Sequence, residues 1–296
     1  MQSLLLLLPD FSLIVLGALL RRQLVTDAAF WTGVEKLVYF ILFPALLFNA
    51  MATAEVDAGG ALPLFIAGLC VMASGFALGW IVRPLAGLDA MAFASRLQCA
   101  YRFNTYIGIA IAGKVHGPAG VALMGGLCGA MVPFANIMAV GMMARHGQGG
   151  IVRELVRNPL VIATIAGMAF NVSGLDLAAP VQFFLKRLGD AAVALGLLAV
   201  GAALRWGKVG GRWAGSAWFV SVKLLLLPAI AWIAGRALGL DGIAFDTIVL
   251  FAALPSASSA YILAMRMGGD GPGVAWLISA TTLLAVVSLT FWLQLL

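Results

Sequence analysis

"WIVRPLAGLDAMAF", residues 80–93, has a near copy in "WIAGRALGLDGIAF", residues 232–245. Trp80 and Trp232, Gly87 and Gly239, Asp89 and Asp241, and Phe93 and Phe245 stand at matching places, as do an Ile, a Leu and an Ala. A second correspondence has almost the same interval: Pro9 is followed by Gly17, and Pro159 by Gly167. The chain therefore reads as two copies of one unit, 1–148 and 149–296, and any fold has to be built twice.

Composition says what solvent the copies face. Of 296 residues, 63% are hydrophobic and 10% charged, and the mean hydropathy is +1.06. A water-soluble domain carries about 25% charged residues. Apolar runs of membrane-spanning length are expected near 4–20, 34–51, 61–82, 92–113 and 119–144, then near 155–175, 180–204, 216–238, 243–267 and 272–295. The reading is an all-α polytopic membrane protein of ten transmembrane helices, five per copy. Its short connections leave no room for a soluble catalytic domain. The opening "MQSLLLLLPDF" has no basic lead or small-residue cleavage site and is read as the first span. Cys70, Cys99 and Cys128 fall in different spans without ligand spacing. They are read as small buried residues, with no metal site, disulfide or cofactor.

Because five is odd, the second copy enters the membrane from the opposite side, and the copies are related by an axis in the membrane plane. Inverted repeats of this kind are found in secondary transporters, where they supply two alternative arrangements of one structure. Channels can be repetitive too, so the symmetry favours transport without singling it out. Orientation follows from Lys and Arg near span ends. One side holds Arg21, Arg22, Lys36, Arg83, Arg96, Arg145, Arg153, Arg157, Arg205, Lys208, Arg212 and Arg266; the other holds Lys114, Lys186, Arg187 and Arg236. This excess puts both termini outside the plasma (inner) membrane, and it accounts for the net charge of +6 without nucleic-acid binding.

Directly after the matched segments lie span four, with "YRFNTYIG" (101–108), and span nine, with "LPSASSAY" (254–261). Pro255 cannot donate a backbone hydrogen bond, and Asn104, Thr105 and Gly108 are poor helix-interior residues. Both spans are expected to break and to cross. Unwound backbone at that depth survives only where protein or a water-filled cavity satisfies it. Each break creates a half-helix whose N-terminus carries partial positive charge, and two such ends make an anion site.

Arg102 falls roughly 13 Å into a ~30 Å core, where a charge costs at least ~2.5–3.5 kcal/mol. A bidentate grip on a substrate carboxylate would offset that cost; otherwise the side chain snorkels or caps its own half-helix. Asn104, Thr105, Pro255, Ser256, Ser258 and Ser259 line the two breaks as substrate contacts or as caps of unwound backbone, and Tyr101 and Tyr261 flank them. Asn49 and Asn136 suit interhelical hydrogen bonds and are secondary candidates. Lys223 snorkels by default, with pairing to a functional group as its alternative. Asp89 and Asp241 are expected to cap helices.

Catalysis lacks its parts. Both histidines, His116 and His146, fall in expected loops, and the chain has no GxSxG, HExxH or nucleotide-binding glycine loop. The expected crossing also has no carboxylate of the kind that serves proton or sodium antiporters.

Four stretches, "LVYFILFPALLF" (37–48), "RFNTYIGIAIA" (102–112), "RNPLVIATIAGMAFN" (157–171) and "LPSASSAYILA" (254–264), resemble in order and spacing the auxin efflux carrier family, whose bacterial branch includes malonate and other organic-acid permeases. The resemblance implies a ten-helix fold in which helices 1, 2, 6 and 7 form a dimerising scaffold. Helices 3–5 and 8–10 would then carry the crossing and move like an elevator. Asn104 matches the family's asparagine after the first unwound point. Where relatives tend to show Pro-x-x-x-Asn-Ala-Tyr, this chain has Ser259 before Ala260 and Tyr261.

The expected function is therefore alternating-access transport of a small organic anion, malonate or a similar carboxylate, by a homodimer in a lipid bilayer, with a proton or sodium ion as candidate coupling ion. A cation–proton antiporter on the same scaffold, or a non-transporting membrane sensor, is the alternative.

Overall fold

The computed structural model describes residues 2–53, 61–143, 159–204, 213–257 and 259–296. Within them every regular element is helical. The expected loops that carry Arg145, Arg153, Arg157, Arg205, Lys208 and Arg212 lie outside the described residues, as does Ser258.

The chain opens with α1 (Gln2–Gln23). Asp27 then caps α2 (Ala28–Leu37) by accepting a hydrogen bond from the Ala29 N–H at 2.9 Å. α2 continues through a π-helical turn, Val38–Leu42, into α3 (Phe43–Thr53). The second span thus starts earlier than hydropathy indicated. Thr32, Glu35 and Lys36 dilute its first turns without interrupting the helix.

α4 (Ala61–Ile81) leads to the short α5 (Arg83–Ala86), which stops at a left-handed Gly87. Asp89 caps α6 (Ala90–Leu97) through the Ala92 N–H at 2.8 Å. After a break comes α7 (Thr105–Met143), 39 residues long. At 1.5 Å per residue that is about 58 Å, roughly twice a bilayer core. Gly117, at φ 58° and ψ −146°, resolves the excess by turning the chain. Only glycine takes that backbone angle readily, and Pro118 follows it with no N–H to continue the ladder.

The second half has α8 (Pro159–Val172), α9 (Ala179–Ala203) and α10 (Trp213–Ser221). A π-helical turn, Val222–Leu226, joins α10 to α11 (Leu227–Ala237). Then follow α12 (Gly242–Ala253), α13 (Ser259–Arg266) and α14 (Gly271–Leu295). Among the described residues, five helical stretches are long and apolar enough to cross a membrane: Ala28–Thr53, Leu62–Ile81, Ala90–Met143, Trp213–Ala237 and Gly271–Leu295. Cys99 and Cys128 are buried as expected, whereas Cys70 is exposed on α4.

Two packing units form. The first comprises α1, α2, α3, α8, α9 and the Tyr106–Ala130 part of α7. A Cβ at Gly17 would strike the Leu198 backbone, and one at Gly167 would strike the Phe48 backbone. Adding 150 to 17 and 48 gives 167 and 198, so one contact is the other with its two helices exchanged. In lipid, where apolar burial does not drive helices together, this close backbone approach at small residues supplies the packing attraction.

The second unit comprises α4, α5, α6, the Met131–Met143 part of α7, and α10 to α14. The matched segments adopt one local design in it. Trp80 and Phe93 meet edge to face at 5.8 Å with Arg83 over both rings. Trp232 and Phe245 meet edge to face at 5.0 Å with Arg236 over both. Gly239, like Gly87, is left-handed, and Asp241 takes the cap position of α12, although its side chain makes no capping bond there. The π-helical turn leaves the Leu224 carbonyl to α14, from which Ser288 Oγ donates at 2.6 Å and Trp292 Nε1 at 3.1 Å.

Candidate functional site

Both interruptions anticipated in spans four and nine are present, and the second unit contains them. α6 tightens into a 3-10 turn, Gln98–Ala100, and the helix then lapses over Tyr101–Asn104. Thr105 and Gly108, expected to weaken this span, are helical instead. The break falls earlier because the Asn104 N–H does not return to its own helix. It donates to the Pro255 carbonyl at 2.9 Å.

In the other span, Leu254 is extended at ψ 142°, the conformation imposed on a residue before proline. Pro255–Ala257 are non-helical. The 12 residues of α12 and the 8 of α13 rise about 18 and 12 Å, so neither piece alone has the length of a bilayer core.

Three hydrogen bonds knit the breaks together. Besides Asn104 to Pro255, the Ser256 hydroxyl donates to the Cys99 carbonyl at 2.5 Å, and Gln98 Nε2 donates to the Ala260 carbonyl at 3.2 Å. The Ser256 N–H is held by Thr281 Oγ1 at 3.3 Å. The Asn104 and Ser256 N–H groups and the Pro255 and Cys99 carbonyls are thereby paired within the protein. Ser256 acts here as a latch between the two spans.

Arg102 is 5% exposed. Its Nη2 donates to Asn136 Oδ1 at 2.7 Å and its Nη1 to Ser259 Oγ at 3.1 Å. Snorkelling is excluded by that burial. Ser259 is the first residue of α13 and is exposed, so the guanidinium lies at an accessible helix N-terminus. Such an end carries roughly half a positive charge. Placing a full positive charge beside it raises the local potential, and the Asn136 and Ser259 oxygens that hold the guanidinium are neutral.

The remaining candidates divide. Asn104 is buried and Thr105 half-buried at the start of α7. Tyr101 is buried, its ring 6.0 Å from that of Phe76, and its hydroxyl has no hydrogen-bond partner among the described residues. Tyr261 lies beyond the break, 37% exposed. Asn136 joins the Arg102 cluster. Asn49 belongs to the first packing unit, on α3, where its backbone carbonyl accepts from Thr53 Oγ1 at 2.8 Å.

Lys223 does not snorkel. It is 1% exposed, and its Nζ donates to the Ala252 carbonyl at 3.0 Å.

Sequence reasoning missed two features. Arg96, counted as a loop charge, is a buried residue of α6 paired with Asp270 at 2.6 Å; Arg96 is 2% exposed and Asp270 20%. Asp270 also caps α14 through the Gly273 N–H at 2.9 Å, a role visible in an Asp placed just before Gly-Pro-Gly. Gln98 was passed over too. It opens the 3-10 turn before the first break, and an amide inside an apolar span was its signal.

A family description, "Membrane transport protein", matches residues 143–293. A protein of Rhizobium meliloti (strain 1021) named "Putative malonate transporter" is 27% identical over 311 residues, covering 96% of this chain and 93% of its own. A protein of Methanothermobacter thermautotrophicus (strain Delta H) named "Uncharacterized transporter" is 26% identical over 289 residues, covering 95% and 94%. Together with the membrane-length helices, these likenesses point to transport rather than catalysis. The chain belongs to the membrane transport protein family, that of the auxin efflux carriers, and is a multi-pass membrane transporter.

Proposed function

We propose that the protein is a secondary or facilitative carrier of a small organic anion, malonate or a similar mono- or dicarboxylate, bound where the two interrupted spans meet. The observation that carries this reading is the buried Arg102 guanidinium held at the exposed N-terminal turn of α13 by Asn136 and Ser259. Two like-signed groups so placed favour an anion, and a guanidinium fork fits a carboxylate. Asn104 and Thr105, at the start of α7, and Tyr101 are further candidate contacts. The name borne by the Rhizobium meliloti relative agrees with this substrate class.

Alternating access is the proposed mechanism. Its support is the two-fold character of the first packing unit, where the Gly17–Leu198 and Gly167–Phe48 contacts exchange helices. That symmetry and the repeated Trp–Arg–Phe design also support the reading of ten spans in two inverted copies, 1–148 and 149–296. Elevator-type movement on a scaffold of spans one, two, six and seven, dimerisation, and a plasma-membrane setting with both termini outside complete the proposal.

Counterflow of labelled malonate in proteoliposomes tests it. Loss of a charge-assisted pair worth about 1.5–3 kcal/mol should lower kcat/KM about 10- to 100-fold in Arg102→Ala, with Arg102→Lys recovering part and the thermal unfolding profile retained. Unchanged uptake in Arg102→Ala would remove the arginine from the site.

A further inference from the structure

In carriers with interrupted helices, the carbonyls that end the first half-helix are where a coupling cation is coordinated. α12 ends in this way: Leu254 is extended and Pro255 follows without an N–H, so the last carbonyls of α12 cannot all find partners within the helix. At this end the Lys223 side chain arrives from another helix and donates to the Ala252 carbonyl at 3.0 Å.

We propose that the Lys223 ammonium is a resident cation at the carbonyl end of the span-nine break, doing there what a bound sodium ion would do, so that the carrier folds and works without sodium.

Three observations carry it. The side chain is 1% exposed, and a buried charge at this depth is expensive, so its position needs a reason beyond covering the stem. The negative end of a helix dipole supplies one. The segment bearing Lys223 is also anchored, because the π-helical turn Val222–Leu226 gives its Leu224 carbonyl to Ser288 and Trp292 of α14. A tethered ammonium brings three donors without the need to recruit an ion from solution. With Arg102 at the N-terminal end of α13 and Lys223 at the C-terminal end of α12, the two sides of the break are handled differently: one is left to attract an anion and the other is neutralised from within. The inference rests on the anion-site reading only in taking this break as the substrate-carrying one.

The test measures thermal unfolding of purified protein, without substrate, in sodium, potassium and choline chloride at equal ionic strength, beside malonate counterflow in the same salts. The wild type should unfold at one temperature and transport at one rate in all three. Lys223→Ala should unfold several degrees lower in choline and regain most of that loss in sodium, because the truncated site has room for an ion. Lys223→Met fills the space without charge and should be restored by no salt, while Lys223→Arg should remain salt-indifferent. A saturable rise in wild-type unfolding temperature with sodium overturns the proposal, as does a Lys223→Met variant with wild-type stability and flux. If Lys223→Ala does not fold in any salt, the wild-type titration and Lys223→Arg still decide. Absence of malonate flux in every salt would count against the substrate reading alone, since the unfolding arm needs no substrate.

Discussion

The Asn104 backbone N–H donates to the Pro255 carbonyl at 2.9 Å, and this bond joins the two places where the chain abandons its helix. Each helix leaves backbone groups unsatisfied at its break, and each break meets part of the other's need. The paired interruption is therefore one structural unit in which neither half is complete alone.

Ser256 tests that unity. Its hydroxyl bond to the Cys99 carbonyl, 2.5 Å long and buried, should contribute about 1 kcal/mol. Ser256→Ala should unfold a few degrees lower and transport more slowly at saturating substrate, with apparent KM nearly unchanged, because the hydroxyl is spent on the neighbouring span. A large rise in KM with unchanged stability would make Ser256 a substrate contact instead.

Arg96 and Asp270 allow a sharper test. Breaking a buried ion pair by removing one partner costs about 3–5 kcal/mol, whereas replacing both with apolar residues is often tolerated. Arg96→Met and Asp270→Leu should each destabilise strongly. Asp270→Leu should do so even beside Arg96→Met, because Asp270 also caps α14. The double variant should nevertheless lie closer to the wild type than the two single losses added together, as a thermal-unfolding double-mutant cycle would report.

The helix contacts of the first packing unit predict matched sensitivities. Gly17→Ala and Gly167→Ala both drive a methyl into backbone and should each cost about 1–3 kcal/mol. Gly126→Ala, where nothing lies within 4 Å of the added atom, should be neutral or slightly stabilising. If Gly17 tolerates alanine and Gly167 does not, the two contacts are not energetic equivalents.

What could be seen in the sequence, and what could not, divides along a physical line. The interruptions near Asn104 and at Pro255 follow from local chemistry: a proline without a donor and poor helix formers. Arg96, Lys223 and Gln98 were misread or missed because their roles depend on a partner elsewhere in the chain, Asp270, Ala252 and Ala260 respectively. A count of basic residues near span ends treats each one as water-facing. One of those residues, Arg96, turns inward, as does Lys223, which stands outside that count, and nothing in their immediate neighbours says so. The turn at Gly117 was expected as a loop, since a glycine before a proline signals chain reversal equally well with or without intervening coil.

Asn136 offers the most direct test of what Arg102 is for. Its Oδ1 already accepts from Nη2 at 2.7 Å, so Asn136→Asp would set a fixed carboxylate against the guanidinium with little change in shape. A charge-assisted hydrogen bond is roughly twice as strong as a neutral one, so this variant should be more resistant to heat. For the same reason it should bind external carboxylate poorly: the tethered group occupies the fork and repels the substrate, and apparent KM for malonate should rise about tenfold or more, a loss of about 1.4 kcal/mol. Asn136→Ala should do neither, lowering kcat/KM a few-fold through looser placement of the arginine. If Asn136→Asp is transported against as readily as the wild type, with unchanged KM, the guanidinium does not hold the substrate's charge, and the positive potential at this crossing serves the fold alone.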